Sequence, residues 1–125
     1  MISILITGAA SGIGAATAKK LASKEVSLTL TTKTNLEGLK SVKQFAENKG
    51  AKVSYICGDL SEKNFIQELV NLARSSTGNI DQFISNAGYA DKKEFGEYNN
   101  DDLNRSVQTM AISFSEIINL CIEDF

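Results

Sequence analysis

Four short apolar segments recur along the chain, and each is followed by a stretch with hydrophobic residues at helical spacing. The short segments have the length and composition of strands and cover residues 2–7, 26–32, 52–57 and 80–85. Helices are predicted from Gly12 to Lys24, from Leu36 to Gly50, from a cap at Ser61 to Gly78, and from Leu103 to Cys121. The pattern therefore predicts the order β-α-β-α-β-α-β-α.

This alternation predicts an α/β fold with a parallel sheet, because parallel neighbours need crossover connections and bury both of their faces. Right-handed crossovers in the usual order place the strands 3-2-1-4, with helices on both faces. Such sheets bind ligands at the carboxyl ends of their strands. The loops after Thr7, Thr32, Cys57 and Ser85 are therefore the candidate site.

Composition restricts the class of protein. The 125 residues are 42% hydrophobic and 22% charged, which is typical of one globular domain. A net charge of −2 gives no electrostatic basis for binding nucleic acid or an anionic membrane. The sequence has no histidine, which excludes Ser-His-Asp and Cys-His nucleophiles and removes the commonest metal ligand. No metal site is predicted.

Two cysteines, Cys57 and Cys121, lie far apart in a sequence without a recognisable export signal. The apolar opening at residues 2–6 is too short to span a bilayer and lacks a charged flank. We therefore expect reduced thiols in a cytoplasmic protein rather than a disulfide framework.

The glycine-rich segment Thr7-Gly8-Ala9-Ala10-Ser11-Gly12-Ile13-Gly14 joins the first strand to the first helix. Glycines there allow a tight turn, the approach of a phosphate to the backbone, and close packing of helix on sheet. The free N–H groups at the helix start favour a pyrophosphate. These features predict dinucleotide binding by Gly8, Ser11, Gly12, Ile13 and Gly14. The alternative is a flexible turn with chance glycines.

The motifs at three strand ends resemble those of the short-chain dehydrogenase/reductase family. Its Thr-Gly-x-x-x-Gly-x-Gly motif matches Thr7–Gly14, Asp59-Leu60 is similar to its adenine-contacting acidic position, and Asn86-Ala87-Gly88 is similar to its Asn-Asn-Ala-Gly motif. The resemblance implies a Rossmann-type dinucleotide-binding domain over residues 1–125, incomplete because family members are about twice as long. Two alternatives remain: Asp59 only caps a helix, and Asn86–Gly88 is only a turn.

The end of the second strand bears on the choice of cofactor, because an acid there binds the ribose 2′-OH whereas a base accommodates a 2′-phosphate. Thr32 and Lys33 occupy this position. NADP(H) is therefore favoured over NAD(H), unless Lys33 is simply solvated. The resemblance implies hydride transfer between the nicotinamide and a carbonyl or alcohol substrate.

No catalytic residue is assigned. The resembled family uses a Tyr, a Lys four residues later, a Ser and an Asn, and all but the Asn would follow residue 125. Tyr89 and Lys93 have the Tyr-x-x-x-Lys spacing but lie in a predicted loop, which favours coincidence. The family's Asn aligns with Met110, beside Thr109, and a thioether cannot hold a water as an amide does. The alternatives are a non-catalytic NADP(H)-binding or protein-interaction module from a shortened gene, and a fragment unable to fold.

Two surfaces predict a homo-oligomer. The apolar face of the last helix (103–121) is longer than one sheet face needs, and similar helices in the resembled family pair between subunits. The fourth strand would also leave an open edge. Burial of the helix against the chain's own sheet is the alternative.

Overall fold

The computed structural model describes residues 1–88, 94 and 96–125. The strands are β1 (Ile2–Thr7), β2 (Val26–Thr32), β3 (Lys52–Cys57) and β4 (Gln82–Ile84). The helices are α1 (Gly12–Leu21), α2 (Leu36–Asn48), α3 (Lys63–Arg74), α4 (Asn100–Val107) and α5 (Ser113–Cys121). Within the described ranges, no helix has both the length and the apolar character needed to cross a membrane.

The four strands form one parallel sheet in the order β3-β2-β1-β4. β1 lies between β2 and β4, with Ile2 opposite Val26 at one end and Ile6 opposite Ile84 near the other. The predicted α/β class, strand order and parallel direction are therefore confirmed. Because the strands are parallel and in register, the carboxyl ends of β1, β2 and β3 lie side by side at one end of the sheet.

The first core lies between one face of the sheet and helices α1 and α2. Side chains at even positions of β1 and β2 point to this face, since successive strand residues alternate between faces. They pack against small residues of α1 and a Leu, a Val and an Ala of α2: Ile4, Ile6, Leu28, Leu30, Ala15, Ala18, Leu39, Val42 and Ala46. The alanines of α1 allow that helix to lie close to the sheet.

The second core covers the opposite face with α3 and α5. Its fully buried members include Leu5 of β1, Leu69 and Val70 of α3, and Ile117 and Cys121 of α5. Helices therefore cover both faces, as the apolar strands predicted. Both Cys57 and Cys121 are free thiols, and burial raises the pKa of Cys121.

The fourth strand is shorter than predicted. Residues 80–85 were expected to be a strand, but only Gln82–Ile84 pair with β1. The backbone N–H of Ile80 instead donates to the Asp124 carboxylate, at 3.1 Å. Beyond the strand, the N–H of Asn86 donates to the Thr7 hydroxyl. The Asp81 N–H still donates to the Ser3 carbonyl of β1, at 2.9 Å, so side chains accept the N–H groups of Ile80 and Asn86 on either side of the paired segment.

Several helix boundaries also differ from prediction. α2 ends at Asn48 rather than Gly50, and α4 begins at Asn100 rather than Leu103. α3 ends at Arg74 rather than Gly78, whose N–H donates to the Arg74 carbonyl at 2.7 Å.

α1 ends at Leu21 rather than Lys24, because Ala22 is extended and residues 22–25 return the chain to β2. α3 begins at Lys63, and its N-cap is Glu62 rather than the predicted Ser61. The Ser61 N–H donates to the Asp59 side chain instead.

The last helix is not the single amphipathic helix that its spacing predicted. α4 and α5 are joined by a π-helical turn, Gln108–Ile112, which changes the rotational phase of the helix midway. Residues predicted on one apolar face therefore separate. Ile117 and Cys121 are fully buried, whereas Leu103, Val107, Met110 and Phe114 are 44–55% exposed.

Candidate functional site

The glycine loop begins where β1 ends. Gly8 follows Thr7 with a φ of +64°, which other residues rarely adopt. A Cβ at Gly8 would lie 2.9 Å from the backbone nitrogen of Ala87. The loop is also tied to β2, because the Ala9 N–H donates to the Thr31 carbonyl at 3.0 Å. Gly8 thus lets the loop pass between the ends of β2 and β4.

Gly14 lies in the first turn of α1, directly over this loop. A Cβ there would lie 2.1 Å from the Gly8 carbonyl oxygen and 2.6 Å from Asn86 Nδ2. Since real Cβ atoms essentially never come within 3.0 Å of another group, no side chain fits. Close packing at Gly14, as the motif predicted, is what brings the helix start to the end of the sheet.

The N-terminus of α1 has the features of an anion-binding site. Ser11 is the N-cap, but its side chain caps no backbone N–H, and the first turn contains no acidic residue. Gly12 has a φ of +54°, and a Cβ there would meet nothing within 4 Å. Ile13 is 76% exposed. The first backbone N–H groups of a helix have no intrahelical acceptor, so this end favours a negatively charged ligand.

Asn86 and Thr7 hold the ends of β1 and β4 together. Asn86 Nδ2 donates to the Gly8 carbonyl at 3.0 Å, which fixes the glycine loop from the side of β4. The backbone N–H groups of Asn86 and Ala87 both donate to Thr7 Oγ1, at 3.1 and 3.2 Å. The sequence predicts Thr7 as the end of a strand and the first residue of the glycine motif but not as a site residue, so the positioning role of its hydroxyl is a finding of the structure.

Lys33 and Asp59 form an ion pair beyond the ends of β2 and β3. Lys33 Nζ lies 3.5 Å from Asp59 Oδ2, and the two side chains are 60% and 34% exposed. The other carboxylate oxygen accepts the Ser61 N–H at 2.9 Å. That hydrogen bond, together with the nearby Lys33 ammonium, lowers the pKa of Asp59. Asp59 is therefore ionised at neutral pH.

A cleft opens among these strand ends. Its walls include six residues predicted to bind the cofactor, namely Gly8, Lys33, Asp59, Leu60, Ala87 and Gly88. They also include four residues outside that prediction, namely Thr31, Thr32, Gly58 and Thr109. Thr109 reaches the cleft from the π-helical turn, which single-sequence periodicity cannot reveal. Thr31 and Gly58 could have been found from their positions at strand ends.

Five predicted residues lie outside the cleft wall. Four of them, Ser11, Gly12, Ile13 and Gly14, belong to the start of α1. The fifth, Asn86, donates to the Gly8 carbonyl and so fixes the glycine loop. Asp59 does not cap α3 directly, since it accepts a hydrogen bond in the turn before the helix. The Tyr89 and Lys93 pair lies outside the described residues.

This arrangement fits a nicotinamide dinucleotide in three respects. A helix start free of capping side chains and acids suits a pyrophosphate. The open, side-chain-free surface at Gly12 permits a close approach to the backbone. A cleft with an apolar wall at Leu60 and a cation at Lys33 lies beside both. The site thus combines hydrogen-bond donors for an anion, at the start of α1, with an apolar surface for a flat ring, at Leu60.

The chain matches a known family model and is similar to several known proteins. The family model described as short chain dehydrogenase matches residues 3–125. General stress protein 39 of Bacillus subtilis is 31% identical over 106 residues, which are 84% of this chain and 37% of that protein. A fatty acyl-CoA reductase of Acinetobacter baylyi is 38% identical over 84 residues, 67% of this chain and 28% of that protein.

Solved structures share the architecture. A short-chain dehydrogenase/reductase from Serratia marcescens superposes with a TM-score of 0.88 at 27% identity, covering 98% of this chain and 50% of its own. A short chain dehydrogenase from Burkholderia cenocepacia, in complex with NADP, has a TM-score of 0.91 at 22% identity, covering 99% and 51%. The chain thus spans about half the length of these solved proteins and 28–37% of the two curated relatives.

Proposed function

The chain belongs to the short-chain dehydrogenase family, and from that premise we propose that residues 1–125 form the NADP(H)-binding part of an oxidoreductase. The whole protein would transfer hydride between the nicotinamide and a carbonyl or alcohol substrate. The observation that carries the proposal is the uncapped, acid-free start of α1 beside a cleft that contains Lys33.

The cofactor would be held by groups from four strand ends. Backbone N–H groups of the loop from Gly8 to Gly14 suit the pyrophosphate. Asp59 and Leu60 suit the adenine end, and Ala87 and Gly88 line the opposite side of the cleft. Asn86 contributes by fixing the glycine loop. When bound, the nicotinamide supplies the hydride chemistry, while the protein provides position and electrostatics. We assign no catalytic residue within residues 1–125.

The choice of NADP(H) over NAD(H) rests on charge at the end of β2. Lys33 is the basic residue in the cleft wall, and the residue before it, Thr32, is uncharged and offers no repulsion to a phosphate. Complexes of similar proteins are consistent with this choice: the Burkholderia protein was solved with NADP, and an L-sorbose reductase from Gluconobacter frateurii with NADPH and L-sorbose.

Titration of the chain with NADPH and NADH tests the proposal. We expect saturable NADPH binding, seen in nucleotide fluorescence, and a raised melting temperature, because a ligand that binds only the folded state stabilises it. Lys33→Ala should weaken NADPH binding about tenfold and NADH binding by less than about twofold, since only NADPH has the 2′-phosphate. Lys52→Ala, at the other end of the sheet, is the charge-matched control.

Two outcomes would count against it. Equal weakening of both nucleotides by Lys33→Ala would remove the assignment of the 2′-phosphate to Lys33. A chain that melts cooperatively but binds neither nucleotide would instead favour the non-catalytic interaction module.

A homo-oligomer is also proposed, and its support is the exposed apolar stripe of the last helix. Leu103 and Val107 are 55% and 51% exposed on α4. Val107→Glu should therefore lower the sedimentation coefficient at micromolar concentration with little change in melting temperature, because a charge placed in an apolar interface is unfavourable. Asn104→Glu on the same helix is the control. A wild-type chain that sediments as a monomer would refute the proposal.

A further inference from the structure

The Lys33 ammonium already has a partner within the cleft. Strands β2 and β3 stay paired to their ends, with Thr32 opposite Cys57 and the Gly58 N–H donating to the Thr32 carbonyl at 3.0 Å. This pairing brings the residues that follow each strand side by side. Lys33 and Asp59 consequently meet at 3.5 Å at the cleft wall.

The two partners differ in mobility. Asp59 is fixed by the hydrogen bond that its Oδ1 accepts from the Ser61 N–H, at 2.9 Å, and it is 34% exposed. Lys33 is 60% exposed and has a long, flexible side chain. Its ammonium can therefore turn toward a ligand more readily than the restrained carboxylate can follow it.

The pair also cancels the charge of the cleft. Among the described residues that form the cleft wall, Lys33 is the single cation and Asp59 the single anion, so the formal charge there is zero. A phosphate placed beside Lys33 gains an attraction to the ammonium and meets a repulsion from the carboxylate a few ångströms away. Both interactions are moderate, because the two side chains are partly solvated.

Given the proposed NADP(H) function, on which this step rests, we infer that Asp59 is a specificity-determining residue that competes with the 2′-phosphate of NADP(H) for Lys33. The strength of the preference for NADP(H) is then set by the pair and not by Lys33 alone. NAD(H) has no 2′-phosphate and leaves the ion pair intact.

The substitution Asp59→Asn tests this competition. The amide oxygen can still accept the Ser61 N–H, but the negative charge is lost. We expect the ratio of NADPH affinity to NADH affinity to rise about three- to tenfold, measured by isothermal titration at low salt. Any contact of residue 59 with the adenine that both nucleotides share cancels in this ratio. The gain for NADPH should shrink as salt is raised, because partly exposed charges are screened.

A double-mutant cycle assigns the effect to the pair. In a Lys33→Ala background there is no ammonium for Asp59→Asn to release, so the gain in NADPH affinity should be smaller than in the wild-type background. The effects of the two substitutions on NADPH affinity are then non-additive. Asp81→Asn makes the same change of charge at the opposite end of the sheet, where Asp81 accepts the Ser3 N–H, and should leave the ratio of the two affinities unchanged. If Asp59→Asn does not melt cooperatively, Asp59→Ser is used in its place, because the serine hydroxyl can still accept the Ser61 N–H.

The outcomes separate this inference from the proposed function. A wild-type chain that binds neither nucleotide overturns both. A wild-type chain that binds NADPH, with Asp59→Asn weakening both nucleotides equally, overturns only the competition and leaves Asp59 as an adenine contact. A gain for NADPH that is as large in the Lys33→Ala background as in the wild-type background also overturns it, since the carboxylate would then act on the phosphate without Lys33.

Discussion

Gly14→Ala is expected to destabilise the chain by about 3 kcal/mol and to abolish dinucleotide binding. The new methyl group would lie 2.1 Å from the Gly8 carbonyl oxygen and 2.6 Å from Asn86 Nδ2. The first of these is backbone, so the conflict can be relieved only if α1 moves away from the glycine loop. Such a movement separates the helix start from the cleft. Urea unfolding and NADPH titration measure the two effects.

Gly12→Ala is the matched comparison. It makes the same substitution two residues earlier, where a Cβ would meet nothing within 4 Å but φ is +54°. The expected loss is about 1 kcal/mol, the cost of holding alanine in a left-handed conformation. A Gly14→Ala variant as stable as Gly12→Ala would show that the close packing of α1 on the loop is not needed.

Asp124→Ala should cost about 2–3 kcal/mol of unfolding free energy. Asp124 accepts two hydrogen bonds from Arg74, at 2.8 and 3.0 Å, and a third from the N–H of fully buried Ile80. Its side chain is only 11% exposed. Removing the carboxylate leaves the buried Ile80 N–H without its acceptor and leaves the Arg74 guanidinium with the Leu120 carbonyl, to which Nη2 donates at 2.6 Å. Urea unfolding of Asp124→Ala measures the loss of unfolding free energy. The control is Glu123→Ala, because Glu123 is the preceding residue and is exposed.

The same carboxylate predicts a dependence on pH. Its hydrogen bonds with Arg74 lower the pKa of Asp124 in the folded chain. A lowered carboxyl pKa contributes stability above the unfolded value, near 4, and that contribution is lost as the pH falls through the folded pKa. The difference in stability between wild type and Asp124→Ala should therefore narrow below about pH 4. A difference that stays constant down to pH 2 would contradict the role of the charge.

The sheet was predictable because its signals are local. Each strand is a short apolar run, and each helix places hydrophobic residues three or four apart, so element type and order follow from periodicity. The β3-β2-β1-β4 order follows from handedness rules that hold for any such pattern. The glycine motif was equally accessible, because Gly8, Gly12 and Gly14 each meet a backbone requirement that is written in a few adjacent residues.

Three features of the structure could not be predicted from the sequence, because they depend on contacts or on irregular geometry that periodicity does not encode. The backbone N–H of Ile80, just before β4, donates to Asp124, which lies 44 residues later in the sequence. The Lys33–Asp59 pair depends on the exact register of β2 and β3. The π-helical turn that brings Thr109 to the cleft breaks the regular spacing from which helices are predicted. None of these three features produces a regular spacing of hydrophobic residues in the sequence.

The placement of β1 between β2 and β4 has a kinetic consequence. β1 pairs with β4, the fourth of the described strands, and the Thr7 hydroxyl accepts hydrogen bonds from the N–H groups of residues 79 and 80 positions later. Contacts of such sequence separation form slowly, because a long loop must close before they are made. An intermediate with only β1, β2 and β3 in place would contain Lys33 and Asp59 but not the wall at Ala87 and Gly88. Recovery of nucleotide binding after dilution from denaturant should therefore lag behind the protection of β1 and β2 amides from hydrogen exchange.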